Sequence, residues 1–103
     1  MPMDIFTELQ RWYESRCDGD WEHHNGITIE SCDNPGWWVK IDLAGTPLID
    51  KAFIPVVRGH VLGNLDPEPP WLHCYVEDKV WNGSGDPSTL PEILEIFLTW
   101  SKR

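Results

Sequence analysis

The chain has 103 residues and is strongly acidic, with 17 Asp and Glu against 8 Lys and Arg and a formal net charge of -9. This length suits one core, so we treat residues 1–103 as a single domain. The acidic balance argues against nucleic acid or an anionic membrane as the partner, because phosphate groups are bound by basic surfaces. It favours a basic partner, which a negative field attracts.

No export or membrane-spanning pattern is visible. The opening MPMDIFTELQ has no basic region followed by an apolar run, and no apolar stretch approaches the roughly 18 residues that a spanning helix needs. Cys17, Cys32 and Cys74 are widely spaced without a C-x-x-C pair, which fits neither a disulfide framework nor a zinc site. We therefore expect a cytoplasmic protein whose thiols are reduced and mostly buried.

An amphipathic helix is predicted over residues 4–16. Its apolar side chains recur at helical spacing and are Ile5, Phe6, Leu9, Trp12 and Tyr13. Asp4 suits the N-cap of this helix, and Gly19 suits the turn that ends it. The apolar stripe should pack against a core.

From Trp21 onward the apolar period changes to two, which predicts strands at residues 27–30 and 37–43. Between these strands, Pro35 suits the first central position of a type II turn. Gly36 suits the second position, which requires a positive φ. The sequence therefore predicts a β-hairpin that turns around these two residues.

Further strands are predicted after this hairpin. Residues 53–58 form a strand that Pro55 confines to an edge of the sheet. After a loop rich in Gly and Pro, residues 71–76 and 80–81 form a second hairpin. The next segment, residues 82–87, is rich in turn-forming residues.

A C-terminal helix closes the chain. Thr89 begins a predicted capping box, and the helix that follows reaches about Trp100. The order of elements predicts an α+β fold, with an antiparallel β-meander of about five strands and a helix at each end of the chain. The helices should cover one face of the sheet and leave the other face or one edge open, and a partly aromatic open face would suit a partner.

The densest polar cluster begins at Cys17. Asp18, Asp20 and Glu22 resemble the first ligands of a calcium loop, but the remaining spacing and the closing Glu are absent. The neighbouring histidines, His23 and His24, would point to opposite faces of a strand and would not easily share a metal ion. We therefore expect no metal, no cofactor and no catalytic residue.

Two alternatives stay open at this stage. One is a small metal-dependent or acid/base enzyme that uses Asp20, Glu22 and His23, although no sequence feature predicts the cleft that would tune their pKa values. The other is a scaffold or ligand-binding module. Nucleotide binding has no support, because the chain has neither a G-x-G-x-x-G nor a Walker motif.

Partner binding is the function that the residues favour. Trp38 lies on the polar face of its predicted strand, and Trp is enriched at binding hot spots. Acidic side chains in predicted turns are free to meet Lys and Arg of a basic partner. The candidate partner-binding residues are Asp18, Asp20, Glu22, Asp33 and Trp38.

Two sequence runs carry a family resemblance: Cys17-Asp18-Gly19-Asp20-Trp21-Glu22-His23 and Asp33-Asn34-Pro35-Gly36-Trp37. Together with the apolar pattern that surrounds them, from about Leu9 to Leu48, they resemble the immunity protein 53 family of bacterial polymorphic toxin systems. The resemblance implies a cytoplasmic antidote, encoded beside a secreted toxin, that neutralises this cognate toxin domain in a tight complex. The acidic charge of the chain suits a basic toxin.

Structural roles are expected for most residues of the two motifs, since an interface must vary to discriminate between partners. Turn formation and core packing would then explain their presence. The residues concerned are Trp21, Glu22, His23, Asn34, Pro35, Gly36 and Trp37.

Overall fold

The structure is a computed structural model that describes residues 4–33, 35–59 and 70–103. Within these ranges the elements are α1 (Ile5–Arg16), α2 (Trp21–His24), β1 (Ile27–Cys32), β2 (Gly36–Asp42), β3 (Val56–Arg58), β4 (Leu72–Glu77), β5 (Val80–Gly85) and α3 (Leu90–Ser101). The predicted α+β class is confirmed, with a helix near each end of the chain and an antiparallel sheet of five strands between them.

The strand order is β1-β2-β5-β4-β3, which differs from a simple meander. The chain leaves β2 and crosses to the far edge before it forms β3, so β5 pairs with both β2 and β4. Val39 and Ile41 of β2 are fully buried, as expected of a strand with neighbours on both sides. The strand predicted over residues 53–58 forms only at Val56–Arg58, because Pro55 has no N–H for a ladder. Its predicted edge position is confirmed.

The first hairpin is confirmed, but its turn begins earlier than predicted. Gly36 pairs with Cys32 as the first residue of β2, so it does not take the second central position of a type II turn. The ladder gains one residue pair in this way, and Asp33 and Pro35 lie in the loop. Asn34, which was predicted to lie in this turn, is outside the described residues.

The second hairpin is also confirmed, with a tighter turn and a longer second strand than predicted. Asp78 and Lys79 have φ values of 51° and 65°, the signature of a two-residue type I′ turn. The predicted turn over residues 82–87 is wrong for Asn82 to Gly85, which continue β5.

Close packing explains why this strand contains glycines. A Cβ atom on Gly83 would lie 2.4 Å from Cγ2 of Ile93 in α3, and one on Gly85 would lie 2.1 Å from the hydroxyl of Thr89. The glycines therefore allow α3 and its N-terminal end to approach the sheet.

The ends of the helices match the sequence predictions only in part. The Asp4 side chain caps α1 by accepting from the backbone N–H of Thr7 at 2.9 Å, as predicted. The predicted capping box of α3 is wrong, because the Thr89 hydroxyl donates to the carbonyl of Asp86 instead of accepting from the helix. The strand period predicted from Trp21 is wrong for residues 21–24, which form the short helix α2.

The core lies between α3, α1 and one face of the sheet. Phe97 of α3 packs edge-to-face on Trp81 of β5, with ring centroids 5.3 Å apart, and on Trp12 of α1 at 5.0 Å. Fully buried side chains around them include Val39, Ile41, Leu43, Cys74, Ile93 and Leu94. Both terminal helices therefore serve the same face of the sheet.

The cysteines differ from the expectation of mostly buried thiols. Cys74 is buried, Cys32 is half-buried and Cys17 is exposed. Cys17 follows α1 directly, and its thiol donates to the carbonyl of Tyr13 at 3.3 Å. Burial raises the pKa of the Cys74 thiol to about 12, so this group stays protonated at neutral pH and is a poor nucleophile.

Candidate partner-binding surface

The sheet has a second face that none of the described helices covers. Side chains alternate across a strand, so the neighbours of the buried Val39, Cys74 and Gly83 point away from α3. We call this surface the open face. Its central residues are Glu30 of β1, Trp38 and Lys40 of β2, Asn82 and Ser84 of β5, and His73 and Tyr75 of β4.

Trp38 is the most prominent side chain on the open face, with 37% of its surface exposed. Its indole N–H donates to Oδ1 of Asn82 at 3.2 Å. The Asn82 amide is itself held, because its Nδ2 donates to the carbonyl of Val80 at 3.1 Å. A cation covers the ring: Nζ of Lys40 lies 4.1 Å from the ring centroid. The indole is therefore fixed in orientation while much of it remains accessible.

The open face continues as an aromatic and apolar surface toward β3. The rings of His73 and Tyr75 lie against each other at a tilt of 39°, with centroids 4.8 Å apart. Val57, which pairs with His73 across the β3–β4 ladder, is 50% exposed. On the other side of Trp38, Lys40 forms an ion pair with Glu30 at 3.3 Å. The surface thus changes from apolar to charged across the sheet.

The acidic loop between α1 and α2 builds its own turn. Oδ1 of Asp18 accepts from the backbone N–H groups of Asp20 and Trp21, both at 2.9 Å. The Glu22 carboxylate accepts from the N–H of Asp18 at 3.0 Å and of Gly19 at 2.8 Å. Asp18 and Glu22 therefore hold the loop in a reciprocal arrangement like that of a capping box.

These hydrogen bonds favour the charged carboxylates. The backbone N–H groups of Trp21 and Asp20 hold the pKa of Asp18 below its usual value. The pKa of Glu22 is lowered chiefly by its own backbone N–H; burial opposes this shift, and the N–H groups of Asp18 and Gly19 lower the pKa further. Both groups carry negative charge at neutral pH and contribute to the acidic field of the loop.

Trp21 joins the acidic loop to the core. Its side chain is buried, and its indole N–H donates to the carbonyl of Ala44 at 2.7 Å. Its ring meets those of Trp12 and Tyr13 edge-on, with centroids about 6 Å apart. A Cβ on Gly45, which has a φ of 75°, would lie 3.1 Å from this ring. The loop of the first motif is thus held by its own hydrogen bonds and is attached to the core through Trp21.

The second motif lies at the opposite end of the β1–β2 hairpin. The Trp37 indole donates to the carbonyl of Pro87 at 3.0 Å, which ties the hairpin to the segment before α3. Gly36 is buried, whereas Asp33 and Pro35 are exposed. The exposed Asp33 is therefore the acidic side chain that this motif offers to solvent.

The structure separates the acidic candidates into two groups. Asp18 and Asp20 precede α2 and lie near the Ile27 end of β1, whereas Asp33 follows the Cys32 end. The five residue steps between these ends span about 17 Å. Trp38 pairs with Glu30, two pairs from the Cys32–Gly36 end of the ladder. Trp38 is thus closer along the ladder to Asp33 than to the acidic loop.

The residues of the alternative enzyme are not arranged for catalysis. Both oxygens of Glu22 accept backbone hydrogen bonds, and His23 is exposed. Asp20 lies 3.9 Å from His24 in a solvent-exposed pair. In the part of the chain that the structure describes, no group of three or more His, Cys, Asp or Glu could hold a metal ion. The acid/base and metal readings therefore gain no support.

Sequence patterns identified only part of the open face. His73 and Tyr75 flank Cys74 in the sequence, and alternation along a strand puts them on one face. Asn82 was missed, because its neighbours Gly83 and Gly85 resemble a turn. Lys40 is two residues from Trp38 and therefore shares its face, but only strand pairing shows that it lies beside Glu30.

The comparison with protein families decides the kinship of the chain. A family model described as immunity protein 53 matches residues 6–102, nearly the whole chain. The chain belongs to the immunity protein 53 family. The resemblance seen in the two motifs is thereby confirmed, and membership supports an immunity role. Comparisons with curated proteins and with solved structures gave no significant match.

The described helices also bear on membrane insertion. Among residues 4–33, 35–59 and 70–103, no helix is both long and apolar enough to cross a bilayer.

Proposed function

We propose that this family member neutralises a cognate toxin domain by direct protein–protein binding through the open face. The observation that carries the proposal is Trp38, an exposed indole that Asn82 and Lys40 hold in one orientation. A large side chain that is ordered before the partner arrives loses little entropy on binding. Trp38 is therefore suited to be the central anchor of the complex.

Charge selects the partner in this proposal. Among the described residues, cations are already paired as Lys40 with Glu30, Arg58 with Glu92, and Lys102 with Glu8. With 17 acidic against 8 basic side chains in the chain, a partner would therefore meet mainly carboxylates. A toxin domain with a basic surface would be attracted to this field, and the association would weaken with salt.

The acidic candidates take different parts in the proposed complex. Asp20 and Asp33 are exposed, and we assign them to the rim, where charges mainly set the association rate. Asp18 and Glu22 hold the loop that presents Asp20, and they add to its negative field. The antidote would act in the cytoplasm, where the toxin threatens the cell.

Co-expression tests the proposal directly. The partner is the C-terminal toxin domain encoded next to this chain in its genome, and the readouts are host survival and co-purification of a stable complex. A toxin domain from an unrelated system serves as the specificity control. We expect survival and complex formation with the neighbouring domain alone. Survival without any complex would contradict neutralisation by direct binding.

A further inference from the structure

The two edges of the sheet are protected very differently. β3 has three residues, follows Pro55, and ends at Arg58, which is paired with Glu92. β1 has six residues, and its sequence ITIESC contains neither Pro nor Lys. Natural sheets usually shorten or charge an exposed edge, because its unpaired backbone groups invite another strand. The one charge on β1, Glu30, is paired with Lys40 of β2. β1 is therefore the longer and less protected edge.

The ladder identifies the backbone groups that face outward from β1. The N–H of Asp42 donates to the carbonyl of Gly26 at 3.1 Å, so this residue pair is hydrogen-bonded. Such pairs alternate with non-hydrogen-bonded pairs in an antiparallel ladder. Thr28 and Glu30 therefore bond to β2, whereas Ile29 and Ser31 direct their N–H and C=O groups away from it. Among the described residues, β1 pairs with no strand besides β2.

One side of this edge offers an apolar surface. Ile29 is 38% exposed and Phe6 of α1 is 57% exposed. Beside them lies a shallow cavity of about 390 Å³, which is lined by Phe6, Leu9, Gln10, Tyr13, Gly26 and Ile27. An added strand would direct every second side chain toward this surface.

The other side of the edge is part of the open face. Glu30 points to this side and pairs with Trp38 across the ladder. The intervening side chains of an added strand would meet Glu30 and the field of a chain whose net charge is -9. Lys or Arg would suit these positions, and apolar residues would suit the positions that face Phe6.

We infer that β1 is the edge to which an extended segment of the toxin adds as a further strand. This inference rests on the proposed function and specifies how the partner binds. The segment alternates apolar residues, which meet Phe6 and Ile29, with basic residues, which meet Glu30. A second copy of this chain is the less suitable occupant, because it would bring another charge of -9 to the same edge. The surface is continuous with Trp38, so one toxin domain can occupy both.

Amide hydrogen exchange on the wild-type chain tests the strand addition. The probe is the toxin domain encoded next to the chain, in its purified complex. In the free protein the amides of Ile29 and Ser31 should exchange faster than those of Thr28 and Glu30. In the complex, exchange at Ile29 and Ser31 should slow by about tenfold or more. A stable complex that leaves both amides unprotected would overturn the strand addition while the proposed function stands.

A proline variant gives an independent measurement. Ser31→Pro removes an outward N–H and keeps the bonds to β2, since Pro is tolerated where an edge faces solvent. Ser31→Ala is the matched control, because it removes the hydroxyl and keeps the N–H. If both variants melt like the wild type, Ser31→Pro should weaken toxin binding about tenfold and Ser31→Ala should bind normally. Equal binding by the two folded variants would overturn the inference.

Two further outcomes separate this inference from its competitors. Failure of the wild-type chain to bind the toxin domain would remove both the proposed function and the strand addition. A concentration-dependent dimer of the free protein, with Ile29 and Ser31 protected in the dimer, would assign the edge to a second copy and overturn the toxin strand. If Ser31→Pro does not fold, the exchange experiment on the wild-type chain decides alone.

Discussion

The indole N–H of Trp38 donates to the side-chain oxygen of Asn82, which lies 3.2 Å away on the neighbouring strand. This contact joins β2 to β5 across the open face and fixes a side chain that is otherwise accessible to a partner. Because Asn82 is 8% exposed and also donates to Val80, its amide is well placed to hold the indole.

Asn82→Ala should therefore impair binding through Trp38. The variant removes the acceptor of the indole, so we expect faster dissociation of the toxin and about 1 kcal/mol less stability. The effect on binding should not add to that of Trp38→Ala, because both changes remove one shared contact. Ser84→Ala, on the same face of the same strand, is the control. Surface-binding kinetics of the two single variants and the double variant measure the coupling, and full additivity would contradict it.

Gly83→Ala should destabilise the fold. Its new Cβ would lie 2.4 Å from Ile93 and 2.8 Å from the Trp81 ring, so α3 or the ring must move. Such overpacking costs about 1 to 3 kcal/mol of unfolding free energy. Gly26→Ala is the matched control, because a Cβ there meets nothing within 4 Å. Chemical denaturation compares the two, and equal stability would show that α3 does not press on β5.

The fold was predictable where local pattern and tertiary structure agree. Asp4 and the helical spacing after it predicted α1, and Pro55 predicted an edge strand, because these depend on backbone chemistry near each residue. Strand order was not readable, since the pairing of β2 with β5 joins residues such as Val39 and Gly83 that are far apart in sequence. The place of Gly83 in a strand was not readable for the same reason, because it depends on the close approach of Ile93, which leaves no room for a Cβ.

The candidate site was also predictable from the sequence only in part. Trp38 was identified from alternation alone, because one face of its strand is polar. The roles of Asp18 and Glu22 were not readable in detail, since a carboxylate that accepts backbone N–H groups has the same sequence signature as one that awaits a partner. The distance between the acidic loop and Asp33 required the length and direction of β1.

Acid should reveal the contribution of Asp86. Burial alone would raise its pKa, but hydrogen bonds from the side chain and backbone of Ser88 and from the backbone of Trp71 outweigh it and lower the pKa. With a folded pKa below the unfolded one, the carboxylate contributes its full stability above the unfolded pKa of about 3.9 and loses it as the pH falls through the folded value.

Asp86→Asn removes this pH-dependent contribution. At pH 7 the variant should lose about 1 to 3 kcal/mol, because one carboxylate oxygen accepts from the N–H of Trp71 and an amide NH₂ cannot replace both acceptors. The difference between wild type and variant should shrink as the pH falls below 3.9. Urea unfolding across this range measures it, and a difference independent of pH would contradict the assignment.

Reversing exposed acidic charges should distinguish residues that set the association rate from those that set the dissociation rate. Asp18 is unsuitable for this test, because its carboxylate holds the loop through backbone hydrogen bonds. Asp20 and Asp33 are exposed and can be changed instead. Asp20→Lys with Asp33→Lys should slow association with a basic toxin and flatten its dependence on salt, with a smaller change in dissociation. Asp50→Lys with Glu95→Lys, two exposed acids away from the open face, is the control for the same change of net charge. Unchanged association at low salt would remove both acids from the interface.

Trp38→Ala tests the central claim most directly. The measurement is the dissociation constant for the cognate toxin domain, alongside Ile54→Ala, which removes a side chain that is 85% exposed and lines the groove beside α3. If the open face binds the toxin, Trp38→Ala should cost about 2 kcal/mol or more of binding, mostly through faster dissociation. Ile54→Ala should bind like the wild type. Wild-type affinity of a folded Trp38→Ala variant would contradict the account.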